Sequence, residues 1–161
     1  MASNTTFASG AILTAANMNN LPWGIVTTTA GGTSTVGYVN RTTGSFTASS
    51  TTADITGMTC TFTANANTFY KITWTAYGQK DAVAGWTSVN VSDGSNVVQQ
   101  AVAVTSIATG YFNCSGMAIV RPGAGSVTYK LRAACQSSNS TIFASTSGDG
   151  CQMVIEMIGS T

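Results

Sequence analysis

The chain has 161 residues, of which 43% are hydrophobic and only 7% charged, with a formal net charge of +1 and no histidine. That length predicts one domain with a self-sufficient core, and the apolar content excludes a disordered chain. No run reaches the roughly 18 uncharged apolar residues of a membrane-spanning helix, and the scattered basic residues form no stripe for nucleic acid. Ser, Thr, Asn and Gly supply the polar surface in place of charge. Such a surface has little self-repulsion to keep it from meeting other protein.

In chain order, the first predicted element is an arm over residues 1–23. Thr14 can N-cap a short helix through Asn20, and Pro22 disfavours helix at the residue before it. A helix this short is not stable alone in water. It must dock, through Phe7, Leu13, Met18, Leu21 and Trp23. The opening MASNTTFASG lacks the basic and long apolar regions of a secretion signal, so synthesis in a cytoplasm without export by that route is expected.

From residue 24 onward the chain reads as strands, forming a second expected unit over 24–161. Strands are predicted at 25–29, 36–42, 58–64, 68–78, 86–91, 97–104, 111–120, 127–135, 141–145 and 152–158. The firmest signal is alternation. Met58, Cys60, Phe62 and Ala64 interleave with threonines; Tyr70, Ile72, Trp74 and Ala76 interleave with Lys71, Thr73 and Thr75; Tyr129, Leu131 and Ala133 interleave with Lys130 and Arg132. Turn pairs separate the runs, and Asp93-Gly94 between SVNVS and NVVQQ predicts a hairpin. Many short strands without a second helix predict an all-β fold, an antiparallel two-sheet jelly-roll sandwich preceded by the arm and its one-to-two-turn helix.

The last predicted strand is apolar on both faces. Met153, Ile155 and Met157 lie on one side, and Val154 and Ile158 on the other with Gln152 and Glu156. A strand covered on both faces calls for either a second subunit or an internal loop. These five apolar residues are therefore candidates for a subunit interface.

Catalytic chemistry is thinly supplied. Without histidine, the usual general base and most zinc sites are missing, and RPGAGS and TAGGTS lack the ending of a phosphate loop. Asp93-Gly94 and Asp149-Gly150 offer one acid each, too few for calcium. No enzyme activity, cofactor or metal is expected. Cys60, Cys114, Cys135 and Cys151 have no CxxC spacing, which favours buried reduced thiols, with a Cys135–Cys151 disulfide as the alternative. Trp86, after the AVAG loop, is expected to pack in the core, with an exposed aromatic as the alternative.

The segment ILTAANMNNLPWGIV resembles the opening of many bacteriophage virion proteins, in which an LTAA-N-N-P-G element precedes a β domain. MTCTFTANANTFYKITWTA resembles the strand pair that follows it, and GSVTYKLRA with the closing Ile-Gly resembles the last strands of tumour-necrosis-factor-like or C1q-like jelly rolls. Where those proteins often carry an acid directly before the final Ile-Gly, this chain has Met157, with Glu156 beside it. The resemblance implies a structural virion protein without catalytic activity. Its expected form is a homotrimeric capsid decoration (cement) protein, bound to the major capsid protein or other virion proteins and touching neither nucleic acid nor membrane. The alternative is a receptor-binding domain of a tail fibre or tail tip, recognising host glycan or protein through loops such as 79–86 or 137–149. A chain that opens at Met1 and carries no shaft or coiled-coil heptads favours decoration.

Overall fold

The computed structural model describes residues 24–25, 27–28, 35–136, 138–144 and 150–160. The predicted helix and the arm residues Phe7, Leu13, Met18, Leu21 and Trp23 lie outside them. The described residues form the expected antiparallel jelly-roll sandwich.

The smaller sheet has the order β6 (Ala53–Ala64), β11 (Gly125–Cys135), β8 (Gly85–Ser92), β9 (Val97–Thr105). The larger is built on β7 (Thr68–Lys80), which pairs with β10 (Tyr111–Val120) along one edge. Its other edge takes β13 (Gln152–Ser160) and then β12 (Ser140–Ile142). Beyond them lie β1 (Gly24–Ile25) and β4 (Tyr38–Asn40) on β13, and β5 (Phe46–Ala48) on β12. A separate ribbon pairs β2 (Thr27–Thr28) with β3 (Thr35–Val36).

The alternation of the sequence becomes the core directly. Phe62, Tyr70, Ile72, Trp74, Leu131, Met153 and Ile155 project between the sheets and are essentially inaccessible. Each such side chain contributes roughly 1.5–3 kcal/mol of apolar burial. The Asp93-Gly94 hairpin closes as expected: Gly94 takes φ of 97°, and Asp93 Oδ1 accepts from the amides of Ser95 (2.9 Å) and Asn96 (2.7 Å).

Two departures have local causes. β6 starts at Ala53, five residues before the predicted strand, because Ile55 and Met58 are both buried and break the period of two. The chain bulges between them: Lys130 pairs with Thr59 while Arg132 pairs with Asp54, and Gly57 supplies the positive φ of 82°. Arg41 holds the bulge by donating to the Thr56 carbonyl, and to the Ser45 carbonyl at 2.9 Å. The second departure is β5, three residues in a Ser/Thr tract whose pattern is too short to register as a strand.

All four cysteines are buried and none is in a disulfide, so no Cys135–Cys151 bridge forms. Burial pushes Cys60 and Cys114 up to about 11 and Cys151 to about 12, far from the thiolate form that reacts. In the native protein at neutral pH an aromatic disulfide reagent is therefore expected to titrate no thiol. After denaturation it should titrate all four cysteines of the sequence. A fast-reacting native thiol would contradict this packing.

Candidate functional site

The outer face of the larger sheet is built in rows that the strand register fixes. Odd-numbered residues of β7 and β10 and even-numbered residues of β13 point away from the core, because their neighbours Ile72, Cys114 and Met153 point into it. One row reads Met117, Thr73, Val154, Tyr38 across four strands; the next reads Ile119, Lys71, Glu156. Met117 is 54% exposed, Ile119 58% and Tyr38 38%. The two charges cancel, since Lys71 Nζ lies 2.5 Å from a Glu156 carboxylate oxygen. The row on the other side, Ser115, Thr75, Gln152 and Asn40, is neutral.

Toward the end of the sandwich the face turns aromatic. Tyr77 and Tyr111 stack with ring centroids 5.8 Å apart and planes 4° from parallel, and Phe143 closes the group at 5.7 Å from Tyr77. Tyr111 is 63% exposed. Offset stacking of this kind stabilises the rings against each other and leaves one broad apolar surface outward.

The lateral side next to this face carries two unpaired edges. Among the described residues β10 pairs only with β7, and β9 only with β8. Neither VVQQAVAVT nor YFNCSGMAIV contains a charged residue or a proline. Edge strands that must stay solitary are ordinarily blunted by charge, proline or a covering segment. Outward from β9 stand Val102 and Val104, and Ile107 follows in the loop, all more than half exposed. The opposite lateral side is different: β2, β3, β4 and β5 pack against β6 there.

The interface residues predicted from the last strand divide. Met153 and Ile155 are fully buried in the sandwich core, so they are spent on this chain's own packing and are not available to a neighbour. Met157 is half-buried and also packs against that core. Val154 lies on the outer face between Thr73 and Tyr38, and Ile158 is half-buried near the strand's end. Residues that the sequence reading passed over contribute more: Tyr38, Tyr111, Met117 and Ile119. The signal was in the strand 111–120, where Met117 and Ile119 alternate with Ala118 on the face opposite Phe112 and Cys114. Trp86 is half-buried, pairs in register with Val104 and stands on the outer side of β8, opposite the inward Val89 and Val91.

No family model and no curated protein matches this chain. Among solved structures it is similar to Eiger, a TNF from S. frugiperda, at 7% identity and a TM-score of 0.45, over 63% of this chain and 66% of that one. It is also similar to the enzymatically active domain of tailspike protein 4 from bacteriophage CBA120, at 11% identity and a TM-score of 0.30, over 86% of this chain and 20% of that one. The chain thus spans less than two thirds of either. Likeness this distant says nothing of what the protein binds.

The described residues hold no cluster of three or more His, Cys, Asp or Glu side chains placed for a metal. The geometry offers surface instead: an apolar-striped face of no net charge, beside β10 and β9, which lie against each other without pairing.

Proposed function

We propose that this protein is a structural component of a bacteriophage virion, without catalytic activity, that works by burying the outer face of its larger sheet against further copies of itself. The observation that carries this reading is the row Met117, Thr73, Val154, Tyr38, an apolar band with no net charge to oppose association. A second copy is the natural occupant, because the face carries no net charge to repel its own copy. Specific protein interfaces typically bury about 1,600 Å², and a closed ring of copies would cover both face and edges without leaving a strand free to polymerise. The sequence resemblance makes a homotrimer the expected closure and the head shell, with its major capsid protein, the expected attachment. The tail fibre reading keeps the same fold with fewer copies per particle.

Light scattering at micromolar concentration is expected to give a mass several times that of the chain. Met117→Lys and Val154→Lys each place an unpaired ammonium in the buried face, which costs about 3–5 kcal/mol. Each is therefore expected to weaken association roughly hundredfold or more while leaving the circular dichroism of the fold intact. A monomeric parent protein would refute the reading. Copy number in purified virions, by quantitative mass spectrometry against the major capsid protein, then separates shell from tail: comparable numbers mean decoration, a handful mean fibre or tip.

A further inference from the structure

The end of the sandwich away from the Asp93-Gly94 hairpin carries two apolar loops side by side. One joins β7 to β8 over residues 81–84, and the other joins β9 to β10 over 106–110. The register sets them next to each other. Gly85 pairs with Thr105, whose Oγ1 donates to the Gly85 carbonyl at 3.2 Å, and the Lys80 amide donates to the Gly110 carbonyl at 2.9 Å. Val83 stands in the first loop and Ile107 in the second, each more than half exposed.

Both loops are held without a ligand. The Asp81 amide donates to the Asn139 carbonyl at 3.0 Å and the Val83 amide to Ser138 Oγ at 3.2 Å. Beneath them the buried Lys80 spends its ammonium on the carbonyls of Gln136 and Ser138. Gln79 Nε2 donates to the Thr109 carbonyl at 2.9 Å. These bonds are polar, and the Val83 and Ile107 side chains stand outside them.

One step behind the tips the sandwich turns aromatic on both faces. Trp86 follows Gly85 on the outer side of the smaller sheet, paired with the exposed Val104. Tyr111 follows Gly110 on the outer face of the larger sheet, stacked on Tyr77. Three residues separate Val83 from Trp86, at most about 10 Å of chain. In segments 49–52, 79–86, 104–111 and 136–142, which build this end, the only charged residues are Lys80 and Asp81, of opposite sign.

Aliphatic tips ahead of a collar of tryptophan and tyrosine fit the boundary of a lipid bilayer. Apolar side chains enter the acyl region there, and rings with a polar edge lie at the level of the headgroups. The spacing suits the roughly 5–10 Å to which interfacial segments sink. Trp86 and Tyr111 stand on opposite faces of the sandwich, so one flat protein partner cannot cover both, whereas a bilayer surrounds the end. Without a basic cluster, this end has no means of selecting anionic lipid. We propose that it inserts into the headgroup boundary of a zwitterionic bilayer, with Val83 and Ile107 leading and Trp86 and Tyr111 following. The proposal departs from the expectation, drawn from the resemblance alone, that the protein touches no membrane. It does not rest on self-association, since Tyr111 stands six residues along β10 from Met117, roughly 20 Å from that row.

The test is flotation of the full chain with large unilamellar vesicles of phosphatidylcholine. The bound fraction is expected to rise saturably with lipid, with or without added phosphatidylserine and at low and high salt alike. Val83→Asp and Ile107→Asp should each weaken partitioning roughly tenfold or more, with the circular dichroism of the parent. Val97→Asp, which changes an exposed valine at the hairpin end, should float as the parent does. Absence of flotation overturns the proposal, as does flotation that survives both tip substitutions or requires phosphatidylserine. So does a smaller mass for the tip variants by light scattering without lipid, which would make this end a contact between copies. A parent chain that floats through these tips yet scatters as a monomer supports this proposal and counts against self-association alone.

Discussion

Gly78→Ala is expected to lower the melting temperature by about 10 °C. The position lies near the end of β7, between two strands, where Gly78 pairs with Phe112 on one side and Ile142 on the other. A methyl group there would collide with the main-chain oxygen of Thr141 and come within 2.5 Å of the Phe112 ring. The ring can tilt; the carbonyl cannot, because it belongs to the short strand that ties β7 to β5. Overpacking typically costs about 1–3 kcal/mol. A main-chain obstacle places this substitution at the top of that range, and each kcal/mol is worth about 2–4 °C in a chain of this size. Gly123→Ala is the matched control, since a Cβ there meets nothing within 4 Å. Thermal melts of the two variants side by side decide the matter: a Gly78→Ala protein that melts with the parent would show that β12 can move aside.

Raising the pH above about 9 should destabilise the protein steeply. A thiol in the unfolded chain ionises near 9.0, whereas burial holds Cys60 and Cys114 near 11 and Cys151 near 12 in the fold. Between those values the folded state binds more protons than the unfolded one. The stability is therefore fully present below pH 9 and is lost as pH rises toward 11–12. Each thiol withdraws about 1.4 kcal/mol per pH unit over that window. Three acting together remove several kcal/mol, a large part of the roughly 5–15 kcal/mol that holds a domain folded. Tyr129, raised chiefly by burial, acts in the same direction above its ordinary value of 10.0.

The acid side should be shallow by contrast. Asp54 is lowered chiefly by its hydrogen bond from Lys130, and Asp93 by the Asn96 and Ser95 amides. These carboxylates contribute stability above their ordinary range and lose it as pH falls through the folded values. Both are exposed, so solvent screening keeps that contribution small. Urea midpoints measured from pH 4 to 11 in the presence of a phosphine reductant should form a plateau with one steep alkaline edge. Joint substitution of Cys60, Cys114 and Cys151 by alanine lowers the plateau through lost packing and should move the edge to higher pH. An edge that stays in place would assign the alkaline loss to other groups.

The sandwich was legible because its signal is local. Tyr70, Ile72, Trp74 and Ala76 need only the two-residue period of a strand to declare an inward face, and the structure buries all four. The Asp93-Gly94 turn is local in the same sense. Lys80 marks where such reasoning is easily overruled by chemistry. It sits at the inward position of that same alternation and is fully buried, with Nζ donating to the carbonyls of Gln136 at 2.5 Å and Ser138 at 2.7 Å. Parity along the strand points it inward, although a lysine suggests the surface.

The candidate site was less legible, because a face is a property of several strands at once. The sequence by itself determined an all-β chain, the strands that carry its core, a surface poor in charge and the absence of histidine chemistry. It also placed apolar residues on both sides of the last strand. Only the tertiary structure decided which of those residues remain available, burying Met153 and Ile155 in the core while leaving Val154 in a row with Met117, Thr73 and Tyr38. It likewise set the 81–84 and 106–110 loops side by side at one end, through the pairing of Gly85 with Thr105. The physical reason is that alternation fixes the side on which a residue stands, whereas its neighbours across the sheet depend on strand order and register, which are set by contacts distant in sequence.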